Sequence, residues 1–189
     1  MKLILASSSP RRQELLRAAR IPFTVQPANV PEDPLPGESP EAMCLRLARD
    51  KAEAVWAKLE WKAGVLVLGA DTTVVVDGEI LAKPLDEQDA VRMLRLLAGR
   101  THEVITGVCL IGTSGADVRT ETTEVTFSGL SDTEIAEYVA TGEPMDKAGA
   151  YAIQGMASRW TARVEGDYSN VVGLPVALVY RMLQVHGLA

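Results

Sequence analysis

The sequence predicts a mixed α/β fold, with a central sheet flanked by helices. Three observations carry this. Short apolar segments alternate with helical segments, neighbouring strands in the second half are joined by turn signals, and no repeat or low-complexity tract interrupts the pattern. At 189 residues and 47% hydrophobic content the chain can bury a sizeable core. One domain over residues 1–189 is expected, built as two lobes.

The first strand is read at Met1–Ala6. A helix follows, with Ser9 as N-cap, Pro10 in the first position and an end near Arg20. A short strand at Pro22–Val25 leads to a proline-rich loop, Pro27–Pro40, of a length that is often functional. Ser39-Pro40-Glu41 opens a second helix running to about Leu59, with Cys44, Leu47, Ala48, Ala52, Val55 and Leu59 as its apolar stripe. Val65–Ala70 is continuously apolar, which predicts a strand buried on both faces and ended by Asp71. Thr72–Val76 and Glu79–Ala82 flank Asp77-Gly78, a hairpin signal. Asp86–Ala98 is a helix closed by Gly99. His102–Ile111 and Val118–Phe127 pair through Ser114-Gly115, and Ser131–Glu134 is a capping box for a helix ending at Gly142. A glycine-rich loop, a strand near Arg159–Val164 and a last helix from Pro175 complete the chain.

The net charge of −6 argues against a nucleic-acid partner, which a basic surface would serve. No stretch reaches the roughly 20 apolar residues that span a bilayer, and the N-terminus does not read as a signal peptide. Cys44 and Cys109 lie in apolar runs without metal-type spacing, so they read as buried free thiols of a cytoplasmic protein. His102 and His186 have no partner constellation and read as structural.

The stretch LASSSPRR, from Leu5, places Arg11 and Arg12 in the first turn of a helix, where the macrodipole is already positive. Each cation there costs about 0.3–1 kcal/mol unless an anion relieves it. A helix start with hydroxyls, Ser7 and Ser9 among them, is suited to bind one. Lys51, on the edge of an apolar helix stripe, and Lys83, leaving a hairpin strand, add positive charge. Glu32, in the proline-rich loop with Asp33 beside it, and Asp71 are hard oxygen donors of the kind that hold Mg²⁺ together with substrate phosphates. The set fits a polyphosphate and a divalent cation. A Walker-type loop is ruled out by its missing lysine, and no nucleophile elbow is present.

LASSSPRRQELL, GADTTVVVDGEILAKP, AGRTHEVITGV, DKAGAYAIQG and GDYSNVVGLP, in this order along nearly the whole chain, resemble the Maf family of nucleoside triphosphate pyrophosphatases. The resemblance implies an ITPase-like fold (the Maf/Ham1 type), with two lobes around an active-site cleft. It also implies hydrolysis of a nucleoside triphosphate to the monophosphate and pyrophosphate with Mg or Mn. GADT and DKAGAYAIQG look like the subgroup acting on dTTP, UTP and related modified pyrimidine nucleotides. Matched by position, Asp71 corresponds to the family's proposed catalytic base, and Ser7, Arg11, Arg12, Glu32, Lys51, Lys83 and Gln154 correspond to its remaining active-site positions. Arg12, Thr72 and Gln154 are linked to base selectivity. Gln154 can donate and accept, as the amide edge of a pyrimidine requires. The resemblance further suggests a homodimer. Two alternatives stay open: a 7-methyl-GTP or broad house-cleaning activity, and a nucleotide-binding regulator of cell division, as the older name septum formation inhibitor suggests.

Overall fold

The computed structural model describes residues 1–188. Its strands are β1 (Lys2–Leu5), β2 (Thr24–Val25), β3 (Val65–Val76), β4 (Glu79–Leu81), β5 (Thr101–Gly112), β6 (Gly115–Phe127) and β7 (Thr161–Glu165). Its helices are α1 (Pro10–Ala18), α2 (Pro40–Trp56), α3 (Glu87–Leu97), α4 (Asp132–Ala140), α5 (Tyr168–Val172) and α6 (Val176–Val185). The strands form one mixed sheet in the order β2-β1-β3-β5-β6-β7, with β4 beside β3.

The predicted caps hold: Ser9 accepts from the Arg12 N–H, Ser39 from Ala42, and Ser131 with Glu134 forms the reciprocal capping box. Asp86, expected as the first helical residue, stands just outside α3 as its N-cap and accepts from the Asp89 N–H. Gly99 and Gly142 follow their helices with φ of +69° and +74°. Short α5 and the 3₁₀ turns at Glu143–Asp146, Ala148–Ala150 and Met156–Arg159 carry no periodic signal that the sequence reading could use.

One expectation is corrected. Asp71 does not end its strand, because β3 runs unbroken from Val65 to Val76. What ends there is the neighbour. β1 pairs in parallel with β3 only as far as Leu5 opposite Leu68, and the Ala6 N–H makes the last bond, to the Leu68 carbonyl. Asp71 therefore lies beyond the carboxyl end of a parallel strand, where α/β sheets bind ligands, although its own strand continues.

The chain divides into two compact units, Met1–Thr72, Thr106–Glu121 and Gly173–Ala189 in the first, Thr73–Ile105 and Thr122–Val172 in the second. The first unit has helices on both faces of its strands. Leu3, Leu5, Leu66, Leu68, Ala70, Val108 and Leu110 pack against Leu16 of α1 and Leu178, Val179, Met182 and Leu183 of α6. On the opposite face Ile4, Ala6, Val67, Cys109 and Ile111 pack against Ala48, Ala52 and Val55 of α2. Gly69 and Gly107 bring α2 close to the strands. A Cβ on Gly69 would fall 2.1 Å from the Ala48 carbonyl oxygen, and one on Gly107 would fall 2.2 Å from that of Cys44.

The second unit centres on an aromatic group. Phe127, His102 and Tyr151 meet edge to face at 4.8–5.4 Å between centroids, and all three are buried. Cys44 and Cys109 are buried free thiols, and burial pushes the Cys109 thiol up to about 12. No helix among the described residues is long and apolar enough to cross a membrane.

Candidate active site

Alternation along β3 sends neighbouring side chains to opposite faces. Asp71 points with Val67 and Gly69 toward α2, and Thr72 points with Leu68 and Ala70 toward α1. On the α2 side, Lys51 is only 9% exposed and Asp71 8%. The Lys51 ammonium donates to Asp71 Oδ1 at 2.6 Å and lies 2.7 Å from Glu32 Oε1. A snorkelling lysine would carry its charge to water; this one turns it onto two carboxylates. Asp71 is as enclosed as its partner, whereas the Glu32 side chain remains 52% exposed.

Glu32 reaches Lys51 because the proline-rich loop is tied to α2. Arg46 donates from Nε to Glu38 Oε1 at 2.6 Å and from Nη2 to Glu38 Oε2 at 2.8 Å, a two-armed clamp. Its Nη2 also reaches the Asp33 carbonyl at 3.1 Å, and the Leu35 N–H donates to Glu38 Oε2. The Arg46 hydrogen bonds hold the Glu38 carboxyl below the usual carboxylate range. Of the two adjacent acids, Glu32 is the one whose carboxylate meets Lys51, while Asp33 meets Arg46 through its carbonyl.

On the α1 side, the Arg12 guanidinium is already engaged with the protein. Nε donates to the Gly173 carbonyl at 2.8 Å, Nη2 to Thr72 Oγ1 at 3.1 Å and Nη1 to Ser7 Oγ at 3.3 Å. Thr72 in turn shares a 2.9 Å hydrogen bond with the buried Thr106 hydroxyl. Burial holds the Arg12 guanidinium below the ordinary arginine value, opposed by Asp71 and reinforced by Arg11. The arginine that strains the helix dipole is thus steadied by a carbonyl and two hydroxyls, and Asp71 and Glu32 lie within its electrostatic reach.

Ser7 is buried and accepts from the Ser9 N–H as well as from Arg12. Ser9 is occupied by its capping role, and Arg11 stands in the same first turn. The first unit therefore brings together Ser7, Arg12, Glu32, Lys51, Asp71 and Thr72.

Lys83 and Gln154 belong to the second unit, and both are exposed. The segments that bear them are joined, since the Gly149 N–H donates to the Ala82 carbonyl at 3.2 Å. Gln154 sits at the tip of a bracketed loop. The Ala152 N–H donates to the Tyr138 hydroxyl, that hydroxyl donates to Glu143 Oε1 at 2.8 Å, and Glu143 Oε1 also accepts from the Met156 N–H. A Cβ on Gly155 would fall 2.2 Å from Glu143 Oε1, so a side chain there would push that carboxylate aside. Thr106, Gly173, Tyr138 and Glu143 were not singled out from the sequence. Thr106 and Gly173 lie inside two of the quoted motifs, which is the one signal that could have marked them.

A family model described as Maf-like protein matches residues 2–186. A protein of Koribacter versatilis (strain Ellin345) named dTTP/UTP pyrophosphatase is 61% identical over 99% of this chain and 95% of its own length. One of the same name from Geobacter sulfurreducens is 52% identical over 97% of this chain and 95% of its own. Among solved structures, the Staphylococcus aureus Ham1 protein matches with a TM-score of 0.57 at 16% identity, covering 98% of this chain and all of that one. This likeness establishes the fold.

Proposed function

From the premise that this chain belongs to the Maf family, we propose that it hydrolyses dTTP, UTP and related modified pyrimidine nucleotides to the monophosphate and pyrophosphate. The observation that carries this reading is the arrangement at Lys51, where one enclosed ammonium meets Asp71 and Glu32 within reach of the Arg12 charge. A purely structural chain gains little from burying a lysine against two acids, because desolvation consumes most of the attraction. A site that handles a highly anionic substrate needs such groups in place beforehand.

A divalent cation fits the acids, since their oxygens already converge on a single positive atom, the Lys51 nitrogen. Glu32 and Asp71 would hold it, and it would supply charge neutralisation at the phosphates. A water molecule attacks the α-phosphorus, the bond from that phosphorus to the bridging oxygen breaks, and pyrophosphate leaves with the electron pair. Asp71 takes the proton of the attacking water. Lys51 and Arg11 meet the growing negative charge as cations, and Arg12 orients Ser7 and Thr72 while adding its own. Lys83 is assigned to the charge of the departing pyrophosphate and Gln154 to the pyrimidine edge. Buried free thiols and the nucleotide substrate support a cytoplasmic setting.

The test is turnover of dTTP, UTP, 7-methyl-GTP and ATP with pyrophosphate detection, with and without Mg²⁺ or Mn²⁺, for the wild type and Asp71→Asn. Preference for dTTP and UTP, and a loss of about 10²–10⁴-fold in Asp71→Asn, are expected. Binding without turnover by the wild type would discard the enzymatic reading.

A further inference from the structure

We propose that Lys51 is a resident cation that keeps the carboxylate pair closed to metal until a triphosphate arrives, so that metal and nucleotide enter together. The inference rests on the reading of Glu32 and Asp71 as the metal pair.

The geometry supplies the first step. Lys51 Nζ contacts Asp71 Oδ1 at 2.6 Å and Glu32 Oε1 at 2.7 Å. Both atoms belong to the carboxylates read as the metal pair, and a positive group already stands on each. A dication joining them with Lys51 in place meets direct repulsion from the ammonium.

The fold supplies the second step. α2 is seated close on the strands, with its Ala48 and Cys44 carbonyls against Gly69 and Gly107. Lys51 can leave the acids without shifting the helix, because its charge sits on a flexible four-carbon stem. It is enclosed, so leaving two acids without finding another anion strands a desolvated charge. A triphosphate is such an anion. When phosphate oxygens take the ammonium, Asp71 and Glu32 are released to the metal.

The donor count supplies the third step. Among the described residues no group of three or more His, Cys, Asp or Glu side chains could hold a metal. Two carboxylates leave most of an octahedral shell to water and phosphate. Nucleotide and metal must then strengthen each other's binding by the same factor, as linkage requires.

Mn²⁺ binding followed by electron paramagnetic resonance tests this without turnover, using the purified full chain with and without a UTP analogue whose α,β bridge is non-hydrolysable. Without the analogue, Lys51→Met is expected to bind Mn²⁺ at least ~10-fold more tightly than the wild type, within the usual coupling range. Lys51→Arg, which keeps the charge, should stay at the wild-type level. Adding Asp71→Asn to Lys51→Met should abolish the gain. With the analogue, wild-type Mn²⁺ affinity should rise ~10-fold or more, a measurement that needs no variant to fold. Tight Mn²⁺ binding by the nucleotide-free wild type, unchanged by the analogue, overturns the proposal while leaving UTP turnover intact. Absence of UTP turnover in the wild type would instead reject the functional reading beneath it.

Discussion

Lys51 and Asp71 reach each other from different layers of the first unit, one from a helix and one from a strand, and close to 2.6 Å. Both side chains are 11% exposed, so the pair has little water to screen it. Removing Lys51 takes the contacting cation away from an enclosed Asp71, which costs about 3–5 kcal/mol, whereas neutralising both costs far less. Lys51→Ala should therefore lower the urea midpoint markedly, and Lys51→Ala combined with Asp71→Asn should recover most of it. Strictly additive losses in that double-mutant cycle would show that the two groups do not interact.

The same contact depends on two positions with no side chain. Gly69→Ala and Gly107→Ala would each drive a methyl group into an α2 carbonyl, at 2.1 Å and 2.2 Å. Backbone cannot yield as a side-chain tip can, so a cost of about 1–3 kcal/mol or more is expected. Lys51 rides on the displaced helix. Turnover measured well below the unfolding temperature should fall more than stability does. Equal turnover in a destabilised Gly69→Ala protein would mean that helix seating does not set the lysine.

Much of this was legible in the residues, and the failures have physical causes. Ser9-Pro10, Ser39-Pro40, Asp86 and Ser131 start helices where side-chain chemistry says they should, because capping is local. The residues alone point to a strand end at Asp71, because a carboxylate usually breaks a buried run, yet β3 continues through it. Here it is tolerated inside β3 since β1 has already stopped and Lys51 supplies a counter-charge. The Arg12 partners were invisible for a different reason. Gly173 and Thr72 lie 161 and 60 residues away along the chain, and no local pattern encodes such contacts.

The Arg46 clamp predicts how the proline-rich loop behaves. Arg46→Ala removes both arms on Glu38 and the contact to the Asp33 carbonyl. The Leu35 N–H, bonded to Glu38 Oε2, should then exchange with deuterium faster, and KM for the metal–nucleotide complex should rise with kcat little changed. The clamp also carries a pH signature. Arg46 keeps the Glu38 carboxyl below its ordinary range, so the loop should stay protected above that range and loosen only as the pH falls through the lowered value. Unaltered Leu35 exchange in Arg46→Ala would dismiss the clamp.

His102 gives a second pH dependence, of the opposite chemical kind. Its ring is buried, shares a 2.8 Å hydrogen bond with the Tyr151 hydroxyl and is held to about 4, against 6.5 when free, because burial disfavours the charged form. In the unfolded chain it takes up a proton near 6.5; in the folded protein it does so only near 4. Its contribution is therefore whole above the unfolded value and is lost as the pH falls between the two, by up to about 1.4 kcal/mol per pH unit. His102→Gln should flatten the thermal stability profile between pH 6.5 and 4. A profile of unchanged slope would assign that acid sensitivity to other groups.

The bracket around Gln154 separates positioning from contact. Tyr138 and Glu143 fix the backbone at Ala152 and Met156, two residues to either side of Gln154, and neither holds the Gln154 side chain itself. Gln154→Ala should raise KM for dTTP and UTP and narrow their advantage over ATP, since an amide that can donate and accept is lost. Tyr138→Phe removes the hydroxyl that receives the Ala152 N–H and donates to Glu143, while leaving the ring packed edge to face on Trp160. If Gln154 reads the base only when the loop is held, Tyr138→Phe should erode the pyrimidine preference in the same direction but by less, with kcat for UTP largely kept. In the Gln154→Ala background, Tyr138→Phe should then add nothing further to the selectivity ratio. A Tyr138→Phe protein that is less stable yet keeps its full preference would reduce the tyrosine to a packing role.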